Sequence, residues 1–221
     1  MPKPSASKWI GLGAALAAAL AQAATPAPAP LKFDEAFRVR ERGAVHYEAT
    51  YVSGGSSHEL QVWRDGATRV KRTTDGAIET YAVRKPGDAE FRMTVLDLRR
   101  KIATRVDRTN LYRIGHFSDW FDLAHALRHP RGDYALSREK APAGAQQGLE
   151  PCQWFAVAQQ GQVTHICWSA QRELPLQILA AGGQQVWKVT RVDARPIPAT
   201  TFAIDDRGFV RNNANEDIER D

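Results

Sequence analysis

Two Asp-Gly pairs ten residues apart, Asp65-Gly66 and Asp75-Gly76, stand between runs rich in Val, Thr, Tyr and Trp. A chain with this punctuation folds into short strands that turn back on their neighbours. The run Ala44–Val52 fixes the period: Val45, Tyr47, Ala49 and Tyr51 fall on one face, His46, Glu48 and Thr50 on the other. Ser53–Ser57 turns the chain into a second run, His58–Asp65, and Ala67–Thr74, Ala77–Lys85, Glu90–Asp97 and Arg100–Val106 follow. Phe91, Met93 and Val95 share one face of the fifth run, and Lys85–Asp88 is the turn before it. Six strands in succession predict an antiparallel meander.

The period of two breaks after Val106. Phe117, Trp120, Phe121, Ala124 and Leu127 recur at helical spacing, with Ser118 as the expected N-cap, Asp119 in the first turn and Pro130 stopping the helix after His129. Asn110–Ile114 reads as a short preceding turn closed by Gly115. Strand texture returns at Asp133–Glu139, in the cysteine-bearing segment, at Pro175–Gly182 and at Gln185–Val192. The prediction is a mainly β fold: a strongly curved antiparallel sheet of about eleven strands, with a helical insertion after the sixth. The end, from Arg211, is polar and reads as unstructured.

Pro151–Ser169 holds both cysteines of the chain. A four-residue loop Ala158–Gly161, with Gly161 left-handed, would pair Val157 with Gln162, set Trp154 opposite His165, and place Cys152 opposite Cys167 on one face. Side chains at that separation are within reach of a disulfide. The other readings are weaker in their own terms: a zinc site needs three or four ligands and His165 is the one nearby, and redox pairs sit as Cys-x-x-Cys at a helix start. Free thiols remain the fourth reading.

The first residues carry Lys3 and Lys8, then the apolar run Trp9–Leu20, then Ala21-Gln22-Ala23, the pattern of a cleavable export signal. The apolar run falls short of the roughly 20 residues that cross a bilayer core. Residues 1–23 are thus expected to be a signal peptide, 24–34 a Pro/Ala-rich linker, 35–205 one folded domain and 206–221 a polar tail, in a periplasmic protein. The full chain carries 30 Lys and Arg against 25 Asp and Glu; loss of Lys3 and Lys8 leaves 28 against 25, or +3. That balance, without a basic stripe, argues against a nucleic-acid partner.

Catalytic signatures are sparse. Gly-x-Ser-x-Gly, Gly-rich phosphate loops and dinucleotide fingerprints are absent from the sequence, and the expectation is a protein that is not an enzyme and takes no cofactor. Asp122, His125 and His129 share one helix face at spacings a metal could use, but with no fourth ligand indicated they read as a solvated face, and no metal is expected. Arg99-Arg100-Lys101 reads as a solvated turn or as a patch that steers an acidic partner or lipid head group.

Gly148, Cys152, Trp168-Ser169 and Leu174-Pro175-Leu176, in that order after six strands and a helix, resemble the periplasmic lipoprotein-carrier superfamily, the LolA/LolB-like half-barrel proteins. The resemblance runs over roughly residues 35–205. It implies a half-barrel whose concave face is plugged by one or two helices and encloses a lipid-binding cavity, as in outer-membrane lipoprotein sorting. By position Tyr47, Tyr51, Val62, Phe91, Met93, Trp120 and Phe121 would line it. The function this implies is a carrier for a lipid or a lipid-anchored protein. The alternative is an envelope sensor that contacts a membrane-protein partner through a sheet edge or Arg99–Lys101. The strands carry more arginine than an apolar lining takes.

Overall fold

The computed structural model describes residues 31–113 and 119–216. The export signal, most of the linker, Phe117 and the expected cap Ser118 lie outside the described residues.

A short helix α1 (Phe33–Ala36) precedes the meander β1 (Ala44–Ser53), β2 (Ser56–Asp65), β3 (Arg69–Thr74), β4 (Ile78–Arg84), β5 (Phe91–Asp97) and β6 (Ile102–Asp107). Helices α2 (Arg108–Arg113) and α3 (Trp120–His125) follow. A second meander is built from β7 (Ala135–Glu139), β8 (Gln153–Gln159), β9 (Gln162–Ser169), β10 (Leu174–Leu179) and β11 (Gln185–Asp193). The two halves join where β1 pairs antiparallel with β11, and a last strand β12 (Val210–Asn213) pairs parallel with β6 at the far edge. The result is one curved, unclosed sheet of twelve strands, eleven of them antiparallel as the sequence predicts.

The twelfth corrects the reading of the tail. Val210–Asn213 is polar and exposed, so nothing in its own pattern marks a strand. It is held by the unpaired edge of β6 and by a lead-in contact in which the Val210 amide donates to Lys101 O at 2.8 Å. Asn215 adds side-chain bonds to the Asp107 amide and the Asn110 amide group at 2.9 Å each.

Turn chemistry sets the registers. Ser53 pairs with Ser56 across Gly54-Gly55, both left-handed, and the two-residue loop matches the twist of its strands. At Asp65-Gly66 the loop is a residue longer than a two-residue hairpin, since Asp65 pairs with Arg69. A Cβ on Gly66 would meet Glu41 O at 3.3 Å, so glycine lets the segment before β1 lie against this turn.

Helix α3 is shorter than its apolar pattern. Its N-cap is Asp119, whose carboxylate accepts from the Asp122 amide at 2.7 Å, and it ends at Ala126, which turns left-handed and donates to Asp122 O. Trp120, Leu123 and Ala124 face one core cluster together with Val45, Tyr47, Val62 and Phe91. Leu127 and Phe121 pack on a second, with Phe33, Phe37, Phe155 and Trp168. His125 departs from the expected solvated face: it is fully buried. The helix wedges between the clusters, so three sides of it are covered rather than one.

Candidate functional site

The disulfide joins Cys152 to Cys167 at a Cα separation of 5.4 Å, and no described cysteine is free. Its register differs from the expected one. Gln159 pairs with Gln162 across a two-residue loop in which Gln160 and Gly161 are both left-handed, so Trp154 lies opposite Cys167 and His165 opposite Ala156. The tighter turn prevails because its backbone twist suits the flanking strands. Cys152 then sits just ahead of β8, a diagonal neighbour of Cys167 on the same face. The residues around it are structural: Ser169 Oγ donates to Glu150 Oε1 at 2.9 Å, and Arg172 closes on the same carboxylate at 3.1 Å.

Of the residues expected to line a cavity, Tyr47, Val62, Phe91 and Trp120 are buried together and pack in one cluster. Tyr51 and Met93 are half-buried at its margin, and Phe121 stacks on Trp168 at 6.3 Å in the neighbouring cluster. Burial of the Tyr47 phenol pushes its pKa up to about 12, and its hydroxyl has no hydrogen-bond partner among the described residues.

Beneath α3 lies a polar network that the sequence reading missed. Arg64 is inward-facing because it continues the alternation Leu60, Val62 on β2, and it is 3% exposed. Its guanidinium donates to Ala124 O at 3.1 Å, to Glu173 O at 3.1 Å and to Arg172 O at 2.8 Å, and its Nη1 lies 2.5 Å from His125 Nδ1. Glu41, in the segment before β1, accepts from Trp120 Nε1 at 2.6 Å and from Arg84 Nη2 at 2.5 Å, and lies 3.4 Å from His125 Nε2. The Arg84 guanidinium also sits 4.2 Å over the Trp120 ring. Glu173, in the turn between β9 and β10, accepts from the Arg40 amide at 2.6 Å and the Glu41 amide at 3.1 Å, with the Arg64 guanidinium 3.7 Å away.

The electrostatics close on themselves: Arg64 and Arg84 face Glu41 and Glu173, with a histidine between. Burial lowers the His125 pKa, and the neighbouring Arg64 cation pushes the same way against the Glu41 and Glu173 bonds that raise it. Burial alone would raise the Glu41 pKa, but the His125 hydrogen bond, Arg84 and Trp120 together hold it below the ordinary carboxylate value. Glu41, Ala126 and Glu173 have positive φ of 50°, 53° and 56°, so strained backbone gathers at this joint. A legible signal existed for Arg64, a cation that continues the inward-facing alternation Leu60, Val62. Glu41 and Glu173 come from irregular segments with no period to read.

The helix-face triad does not converge. Asp122 pairs with Arg128 at 2.7 Å, His129 lies between Asp34 and Asp119 at 3.0 and 3.3 Å, and His125 points into the network. Arg99 and Arg100 are exposed in the β5–β6 turn, where both amides donate to Asp97 Oδ1. Two open clefts of about 540 and 410 Å³ flank Arg92 and share Val83 and Asp107; the second is also lined by Ile204. Val83 and Ile204 are each about 40% exposed. Among the described residues no helix is long and apolar enough to cross a membrane, and the disulfide fits an oxidising compartment.

No protein-family model matches the chain, and no curated protein does. Among solved structures, that of PNGF-II is similar at 8% identity with a TM-score of 0.40, over 79% of this chain and 32% of that one; a second crystal form gives 7% and 0.39 over the same shares. The crystal structure of MucB is similar at 14% identity with a TM-score of 0.37, over 73% of this chain and 56% of that one. The chain therefore spans about a third of PNGF-II and just over half of MucB.

Proposed function

We propose that the protein is a non-enzymatic binding protein of the bacterial envelope, of the lipoprotein-carrier kind, that takes a lipid or acylated chain against the inner face of its sheet when α3 lifts. The observation that carries this reading is the way α3 is held. Its apolar side seals Tyr47, Val62 and Phe91, while Arg64, Glu41 and Glu173 hold its peptide groups and side chains through polar contacts. A buried ion network gives little net stability over an apolar core of the same volume, because desolvation offsets the Coulomb gain. It does let a helix detach and close again in one geometry. The inward arginines thus stand at the rim of the apolar wall as its fastening, Arg64 enclosed, and Arg84, which also lines the first cleft, paired with Glu41.

Each Å² of apolar wall covered by a ligand would contribute about 25 cal/mol, against the loss of α3's own packing. The test is native mass spectrometry with lipid extraction of protein purified from the periplasm, with acyl-probe binding to wild type and Trp120→Ala. A co-purifying lipid, and altered probe binding in the variant, support the reading. No lipid, together with unchanged probe binding in Trp120→Ala, sinks it.

The packing of Tyr47, Val62, Phe91 and Trp120 against one another favours a second reading, an interaction module that keeps its core closed and binds a membrane-protein partner on the outer face. The exposed Val83 and Ile204 beside the clefts around Arg92 are its surface. Val83→Asp would then abolish partner capture and leave acyl-probe binding unchanged.

A further inference from the structure

The clamp contains one group whose charge changes near neutrality, and it is the most enclosed member. The neutral His125 ring sets Nδ1 2.5 Å from Arg64 Nη1, a group with donors only, and 2.7 Å from Glu173 O, with Nε2 3.4 Å from Glu41 Oε1. In that state the network balances: Arg64 from β2 and Arg84 from β4 face Glu41 from the segment before β1 and Glu173 from the β9–β10 turn. On α3 itself the ring meets Phe121 at 5.0 Å, and Asp122 is engaged by Arg128.

Protonation of the ring adds a second positive charge beside the Arg64 guanidinium, on a side chain with no exposure to solvent that could screen it. Glu173 O, 2.7 Å from Nδ1, is the acceptor for the Nδ1–H of a protonated ring, and it is an oxygen to which Arg64 already donates. Repulsion and competition act in the same direction, against the Arg64 contacts with α3.

We infer that His125 is an acid-sensitive release: protonation of its imidazole expels Arg64 from the clamp and frees α3 from the sheet. This rests on reading α3 as the cover of the binding face, and it assigns the trigger of that cover. The sign follows from the lowered pKa. A histidine that prefers to be neutral when enclosed holds α3 fully above its ordinary value of 6.5, and the hold weakens as pH falls below that value. Glu41 stays ionised through this window, since its own pKa lies below 4.5.

The test is hydrogen exchange on the exported chain at about pH 7.5 and about pH 5.5, corrected for intrinsic rates, following the amides of Trp120–Ala126 against those of β1 and β2. Protection of α3 should fall about tenfold or more at the lower pH while the strands hold. In His125→Gln, which keeps a polar side chain without a proton to gain, the response should vanish. The inference is overturned if α3 protection ignores pH in the wild type, or if His125→Gln responds equally. Should that variant not fold, the His125 ring-proton shift titrated by NMR in the wild type decides: a pKa at or above 6.5 overturns it, and a lower one that tracks loss of α3 protection supports it. An acyl-probe arm separates the two claims. Release of α3 without probe uptake leaves the switch standing and removes the binding reading, and uptake that ignores pH removes the switch alone.

Discussion

Arg64 spends its donors on three backbone carbonyls contributed by two separate stretches of chain, and only its Nε lacks a partner among the described residues. Arg64→Met would remove the donor those carbonyls share and leave Glu173 without its buried counter-charge, at a cost of roughly 3–5 kcal/mol in urea unfolding at neutral pH. Arg64→Lys should fall nearer to Met than to wild type, because an ammonium cannot fork to acceptors spread across two sides. Glu41 predicts an acid limb. With its pKa lowered, it contributes stability that is present above about 4.5 and lost as pH falls below it; stability measured down to acid pH should flatten there in Glu41→Gln. At this scale the sequence was partly legible. The alternation Leu60, Val62, Arg64 places a cation indoors, but what it bonds to sits about 60 and 110 residues away, on segments without periodicity.

Among the elements, the β8–β9 hairpin separates what pairing rules decide from what loop rules decide. An even cysteine count and strand spacing predict the Cys152–Cys167 bond; the register depends on whether the loop has two residues or four, and Gln160 accepting a φ of 51° settled it. Cys152→Ser with Cys167→Ser should lower stability by about 3 kcal/mol, from the loop-closure entropy of a separation of 15, as a drop in Tm against the oxidised protein. The hairpin itself should survive, held by its turn. Gly144→Ala should cost more than an exposed-loop substitution, since its Cβ would lie 3.1 Å from Gly183 O at a φ of 88° and push the loop before β8 off its seat. Helix α3 shows the converse limit. Apolar spacing located it but not its ends, because Asp119 and Ala126 cap it through local backbone geometry that hydrophobic period does not encode.

At the level of the whole sheet, β1–β6 were readable because each strand pairs with its chain neighbour, whereas β12 is defined by a partner more than a hundred residues away. Ending the chain before Val210 should expose the edge of β6 and produce self-association, visible as concentration-dependent mass in light scattering. The sheet order also divides the molecule: β1–β6 are one local run, β7–β11 another, and the ladder between β1 and β11 is their seam. The clamp straddles that seam. Glu41, Arg64 and Arg84 belong to the first run, Glu173 to the second, and His125 to the helix spliced between them. No fragment holding one run alone contains the whole network, so it is a checksum of assembly: Glu41 and Arg84 can pair within the first run, but Arg64 and Glu173 cancel only in a chain whose two halves have found each other, and a chain left half-joined carries those two as unpaired ions.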